Sequence, residues 1–392
     1  MIDIVRTDQC VLCRACSNAC PAGAIRFDRP SGSFLYPTID PEKCVGCEAC
    51  ARACPVLREP VTRPDKPQAV AARSTDDDNR RVSTSGGIFW EAARRVLADG
   101  GYVCGAVWNP DFTVSHVVTN DPDEVRRMRG SKYLQSSTEG VFREIRTLLK
   151  DGKTVLFTGC PCQSAGLRSY LGREYDNLFI IDLICHGIPS PRSLRAYLDL
   201  MEEQYGSKAV SVSLRSKDKG WHRSGVRVDF ENHRHHWERI TADTYMKGFL
   251  WNVYLKEACH DCPFRAYKSG SDLTLGDCWG AEAEPEIQKM DDNKGLSAVL
   301  IHTEKGRRLL DSLGLETTAI PLEVVERNNK NLLVSPEISP TRSKYYAMAE
   351  REGELAAMKR YLVEKPKARR KRRRRERLRD VRGFFTGKKT LY

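Results

Sequence analysis

No stretch of this 392-residue chain approaches the roughly 18 apolar residues of a membrane-spanning helix. The opening MIDIVRTDQC has no basic segment leading into an apolar run, so a secretory signal is not expected. The default compartment is then the reducing cytoplasm, where fifteen cysteines read as metal ligands rather than disulfide partners. The body of the chain also lacks an excess of charge. The net charge is +12, but Lys359–Tyr392 alone holds sixteen Lys/Arg against three acids, a local +13 that leaves about −1 elsewhere. The basicity therefore belongs to a tail and not to a nucleic-acid-binding fold. With 40% apolar residues, the length suffices for two or three domains with a sizeable core.

The cysteines are patterned. Cys10–Pro21 reads CVLCRACSNACP and Cys44–Pro55 reads CVGCEACARACP, the same C-x2-C-x2-C-x3-C-P run offset by 34 residues. Three thiolates within seven residues suit three corners of one cubane, whereas structural zinc usually takes two separated pairs. In two-cluster ferredoxins the fourth cysteine of each run crosses to the other cluster. The spacing therefore predicts one 4Fe-4S cluster on Cys10, Cys13, Cys16 and Cys54, and a second on Cys44, Cys47, Cys50 and Cys20. Leu12 stands where the second run has Gly46, a change expected to alter packing around the sulfurs. Between the runs, a hairpin around PSGS is predicted.

The proline-rich VLREPVTRPDKPQ reads as a linker. AVAARS then predicts a strand, and STSGGIFWEAARRVLADG a turn into an amphipathic helix. Ser85, Gly86 and Gly87 at that helix start suit either an anion or a tight turn. YVCGAVW and VSHVVT pattern as paired strands, followed by the polar loop MRGSKYLQSS. Next, KTVLF, CQSAGLRSYLG and NLFIIDLI order as strand, helix and apolar strand, a parallel βαβ unit. TGCPCQ and CHGIPS leave those strands at their C-terminal ends, where ligands gather in such sheets. Cys162 and Cys185 are thus expected to meet, with His186 beside them. Cys259 and Cys262 form a further C-x2-C. With Cys160, Cys162 or Cys185 it suits half a zinc site or an iron–sulfur cluster equally well. HRHHW (residues 233–237) is expected to be an exposed polar turn. The arginine-rich tail suits anionic lipid, nucleic acid or an acidic partner, with VRGFFTGKK favouring a membrane surface.

TSGGIF, GSKYLQS, GCPCQSAGL, DLICHGIPS, LRSKDKGW, CHDCPF and LGDCWG occur in this order. Together they resemble the coenzyme F420 hydrogenase/dehydrogenase beta-subunit family over roughly residues 68–314. Members of that family are flavoproteins with an iron–sulfur cluster near the flavin. Versions with an N-terminal dicluster module look similar to proteins encoded among polysaccharide-biosynthesis enzymes. The resemblance implies that Ser85, Gly86 and Gly87 approach the phosphates of FAD, and that Gly130, Ser131, Lys132, Tyr133, Gln135 and Ser136 hold the flavin. Thr158, Gly159, Pro161 and Gln163 would line the same pocket. It also implies that Cys162, Cys185, Cys259 and Cys262 ligate a core 4Fe-4S cluster. Cys160 stands where the family usually has threonine and Cys278 where it has an aromatic residue, so each offers an alternative ligand.

The resulting expectation is an α+β or α/β protein. A ferredoxin-like dicluster domain (residues 1–58) and a linker (59–68) precede a mixed α/β domain for FAD and a 4Fe-4S cluster (69–345) and a helical to disordered basic tail (346–392). The expected function is oxidoreduction: electrons pass between the clusters and FAD, and a hydride is exchanged with an organic acceptor, coenzyme F420 or a biosynthetic, polysaccharide-pathway substrate. A ferredoxin or similar protein is the expected electron partner. Lys132, His186 and Lys219 are candidates for proton delivery or anion contact. The expected location is cytoplasmic, at most peripheral to the inner membrane surface. A non-catalytic relay subunit and a nucleic-acid-binding protein with structural clusters are the alternatives.

Overall fold

The computed structural model describes residues 5–61, 65–280, 284–364, 368, 371, 372 and 374. The chain divides into two compact units, Met1–Leu194 with Tyr254–Ile338, and Arg195–Val253 with Ser339–Tyr392. The dicluster segment and the large sheet therefore share the first unit.

Each cysteine run of that segment carries a short helix, Ala15–Ala19 or Ala49–Arg52. Between the runs, β1 (Ile25–Ser31) and β2 (Phe34–Ile39) pair antiparallel, the hairpin predicted around PSGS. After the proline-rich stretch come β3 (Gln68–Ser74), β4 (Tyr102–Trp108), β5 (Val114–Thr119), the two-residue β6 (Ser136–Ser137), β7 (Val155–Gly159) and β8 (Leu178–Leu183). Val155, Leu156 and Phe157 are all fully buried, as expected of a strand covered on both faces. β7 and β8 run parallel, with Val155 opposite Leu178 and Gly159 opposite Asp182. The predicted βαβ unit is present, joined by the helix Pro161–Leu171.

In the second unit, β9 (Ala209–Ser216), β10 (Gly225–Phe230) and β11 (His235–Arg239) form an antiparallel sheet. Here the HRHHW expectation is corrected. Only residues up to Arg234 belong to the turn, with His233 at φ 61°, while His235 onward is strand. His236 is buried, with Nδ1 3.2 Å from the Tyr205 hydroxyl and Nε2 3.6 Å from Asp243. Alternation along β11 turns this histidine inward.

The first unit resumes with β12 (Leu273–Asp277), β13 (Ser297–Ile301) and β14 (Leu315–Ala319). Its nine-stranded mixed sheet has the order β14-β3-β13-β12-β8-β7-β4-β5-β6. Ile88, Ala92, Ala93 and Val96 of the helix Ile88–Ala98 pack in one core with Leu309 and Leu310. A second core joins Phe142, Ile145 and Leu167 to Val11, Cys13, Ala15 and Ala53 of the dicluster segment. That segment is held by more than apolar contact. Thr138 Oγ1 donates to the Cys13 carbonyl at 2.7 Å, and the Phe142 amide donates to Asn18 Oδ1 at 3.1 Å.

Candidate electron-transfer site

The short cysteine spacing forces tight local geometry. Leu12, Arg14, Gly46 and Glu48 all take left-handed backbone conformations, with φ between 56° and 67°. Cys13 lies among Cys10, Cys16 and Cys54, the four predicted for one cluster. Cys50 has Cys20 and Cys47 as neighbours, three of the four predicted for the other. The two sets differ in access. Cys13 and Cys54 are buried, whereas Cys44 and Cys47 are exposed. Burial pushes the Cys16 thiol up to about 12, with Cys10 and Cys54 adding to the rise.

The core cysteines lie where β7 and β8 end. Cys162, Cys185, Cys259 and Cys262 line one cavity together with Lys256 and Arg265. Cys162 and Cys185, from neighbouring parallel strand ends, are thus brought together as the βαβ reading predicts. Burial raises the Cys162 thiol strongly, and pushes that of Cys262 up to about 11. Thiolates in such a place need cations, and the two bases supply them. Arg265 donates to the carbonyls of Cys185 (2.8 Å), His186 (2.9 Å) and Asn331. Lys256 Nζ donates to the Val11 carbonyl at 2.5 Å and to Gln135 Oε1 at 2.9 Å. Burial works against its charge, but Cys162, Cys259, Tyr36 and Cys10 more than offset this and hold its pKa above the usual lysine value.

Cys160 has a different setting. It caps the helix Pro161–Leu171, its sulfur accepting from the Gln163 amide while its own N–H donates to Gln163 Oε1 at 3.0 Å. Its thiol also donates to Cys185, which draws the Cys185 pKa down to about 7. Cys278 is buried beyond the end of β12, its amide bonded to the Leu296 carbonyl. Among the described residues no group of three His, Cys, Asp or Glu is arranged to hold a single metal ion. A cubane bonds each cysteine through a separate iron, so its thiols need not converge on one point.

The residues expected around a flavin fall into two groups. The Ser131 amide donates to Thr84 Oγ1 at 2.9 Å, which joins the 130–136 loop to the Ser85–Gly87 turn. Ser85 Oγ donates to the Leu296 carbonyl, and a Cβ on Gly86 would come within 2.5 Å of the Ala72 carbonyl oxygen. Glycine is needed there for the approach of the turn to β3 and β13. Gln135 and Ser136 face the other way, toward the core cysteines. Gln163 Nε2 donates to Ser136 Oγ at 2.9 Å, and the Gln135 amide donates to the Pro189 carbonyl at 3.0 Å.

The three proton-delivery candidates each have their own local partners. Lys132 Nζ lies 3.0–3.2 Å from the carbonyl oxygens of Arg127, Met128, Arg129 and Gly130, its three N–H groups shared among them, and closes the helix Pro122–Arg127. Lys219 belongs to the second unit, its ammonium 3.7 Å from the centre of the Trp237 ring. His186 adjoins Cys185, and its Nδ1 lies 2.7 Å from the Asn331 side-chain amide.

Sequence reasoning missed Lys256, Arg265 and His116. The first two flank the C-x2-C pair at three residues on either side, a signal available in the sequence. His116 gave none. It is buried between Thr158 and Ser136, with Nε2 2.9 Å from the Thr158 carbonyl oxygen and Nδ1 3.0 Å from Ser136 Oγ.

The basic run from Lys367 to Lys389, with its expected lipid or partner contacts, lies largely outside the described residues. Among those described, no helix is long and apolar enough to cross a membrane.

Residues 152–325 match the family described as the C terminus of the coenzyme F420 hydrogenase/dehydrogenase beta subunit. Residues 9–57 and 36–87 each match a 4Fe-4S dicluster domain. No curated protein matches the chain. Among solved structures, a chain of the xenon-derivatised F420-reducing NiFe hydrogenase complex from Methanosarcina barkeri is 20% identical, over 76% of this chain and 93% of that one, with a TM-score of 0.45. Within this chain a segment matching a 4Fe-4S dicluster domain thus precedes a segment matching the C terminus of the coenzyme F420 hydrogenase/dehydrogenase beta subunit, a combination that supports iron–sulfur electron transfer.

Proposed function

We propose that this chain is an iron–sulfur flavoprotein oxidoreductase. Cys20, Cys44, Cys47 and Cys50 would hold an outer 4Fe-4S cluster. Cys10, Cys13, Cys16 and Cys54 would hold an inner one, and Cys162, Cys185, Cys259 and Cys262 a core one. FAD would be held by residues of the Ser85–Gly87 turn, the 130–136 loop and Thr158–Gln163. When bound, these groups supply single-electron transfer and hydride exchange with an organic acceptor, either coenzyme F420 or a biosynthetic, polysaccharide-pathway substrate.

The protein's own contribution is placement. It leaves Cys44 and Cys47 exposed toward an electron donor such as a ferredoxin and buries Cys13 and Cys54. It also sets Lys256 between the inner and core cysteines. That last contact is the observation that carries the reading, because it makes the dicluster segment continuous with the core cavity.

Anaerobic purification followed by iron, sulfide and flavin analysis tests it. Three 4Fe-4S clusters require about twelve irons per chain, together with one FAD. A count near eight with no flavin would sink the core cluster and the flavin together. The exposed outer cysteines also favour a second reading, a relay subunit docked on a catalytic partner. Turnover by the purified chain with dithionite and a flavin-accessible acceptor separates the two.

A further inference from the structure

Lys256 is 1% exposed, and the two partners of its ammonium, the Val11 carbonyl and the Gln135 amide oxygen, are both neutral. Among the described residues no carboxylate forms an ion pair with it. A buried cation left without an anion is strongly unfavourable. The counter-charge must come from what the surrounding thiols hold. On one side, Val11 lies between Cys10 and Cys13. On the other, Lys256 precedes Cys259 by three residues and lines the cavity of Cys162, Cys185, Cys259 and Cys262. A 4Fe-4S cluster on four thiolates is an anion, more so when reduced, and nearby charge is one of the levers on its potential.

We propose that Lys256 is a positioning charge shared by the inner and core clusters, raising both midpoint potentials relative to the outer cluster and so directing electrons inward. This rests on the core-cluster reading above. Arg265 cannot substitute for it, because its hydrogen bonds go to the carbonyls of Cys185, His186 and Asn331, all on the core side. The outer set has a cation of its own, but a differently placed one: Arg52 donates to the Cys47 carbonyl at 2.8 Å from an exposed position, where solvent and salt screen its charge. The lysine therefore acts on the difference between clusters and not uniformly on all three.

The test is an EPR-monitored redox titration of the full chain, reconstituted anaerobically with iron and sulfide. Wild type, Lys256→Met, Lys256→Arg and Gln135→Glu are compared. Lys256→Met removes the charge at similar volume. Gln135→Glu leaves the lysine in place and neutralises it with a carboxylate, which keeps the test open if the methionine variant does not fold. The expected result is a fall in the inner and core potentials of at least tenfold in the reduction equilibrium, about 59 mV for a one-electron couple. The outer potential stays fixed and Lys256→Arg stays near wild type. Equal shifts in all three clusters, or no shift in Gln135→Glu at full iron content, would overturn the assignment. A wild-type count near eight irons instead defeats the core-cluster reading itself, before any variant is compared.

Discussion

Cys13 rests against Gly166 so closely that a Cβ on the glycine would lie 2.9 Å from both the Cβ and the Sγ of the cysteine. Gly166 sits within the helix Pro161–Leu171, where alanine would ordinarily stabilise by about 0.5–1 kcal/mol. Here the sign reverses. Gly166→Ala forces Cys13 away from the helix, an overpacking that costs on the order of 1–3 kcal/mol. The expected outcome is a lower denaturation midpoint and selective loss of the iron bound by Cys10, Cys13, Cys16 and Cys54. Retained iron with raised stability would show that the dicluster segment does not seat on this helix.

Cys160 and Cys162 share one loop but not one setting. Cys162 lines the core cavity, whereas Cys160 caps a helix and donates to Cys185. Cys162→Ser is expected to lose about four irons, one cluster's worth. Cys160→Ser is expected to keep them, because serine is itself a good N-cap and its hydroxyl still donates toward Cys185. Iron counting on the two single variants checks this, and the opposite pattern would exchange their roles.

The features legible in the sequence were those encoded over short range. The cysteine spacing predicted the grouping of Cys10, Cys13 and Cys16 with Cys54, since a cubane dictates the spacing of its ligands. The apolar runs around Val155 and Leu178 predicted a parallel βαβ unit, and hence the meeting of Cys162 with Cys185. What stayed hidden depends on distant partners. Lys256 and Val11 are 245 residues apart, and no local pattern marks a lysine as buried. His236 read as part of an exposed turn because histidines are usually polar surface residues, but strand pairing turns it inward. Lys132 is expected from the sequence to hold flavin, deliver a proton or contact an anion, and its bonds to carbonyls at the end of the helix Pro122–Arg127, which stops five residues before it, emerge only in the fold.

His116 should make the fold sensitive to mild acid. Burial lowers its pKa from 6.5 to about 4, the Thr158 carbonyl partly opposing the shift and Lys132 adding to it. The fold therefore favours the neutral ring. Its stabilising contribution is complete above pH 6.5 and is lost as the pH falls from 6.5 toward 4, by up to about 3 kcal/mol in total. Denaturant midpoints measured at pH 7.5 and 4.5 should fall less in His116→Gln than in wild type. An equal fall in both would assign the acid sensitivity elsewhere.

Leu12 and Gly46 occupy equivalent places in the two cysteine runs, at φ 56° and 67°. A left-handed conformation costs a non-glycine residue on the order of 1–2 kcal/mol. Leu12 offsets this by packing with Phe34 and Tyr36, where burying a leucine is worth about 1.5–3 kcal/mol. Gly46 has no such neighbours, for a Cβ there would meet nothing within 4 Å. Gly46→Leu would thus incur the backbone strain without the burial. It should destabilise the outer cysteine loop by about 1–2 kcal/mol, read as faster loss of iron to a chelator under anaerobic conditions. Leu12→Gly, by contrast, relieves strain and removes packing together, so its net effect should be smaller than the loss of the buried side chain alone. A Gly46→Leu variant that holds its iron as tightly as wild type would refute the strain argument for both positions.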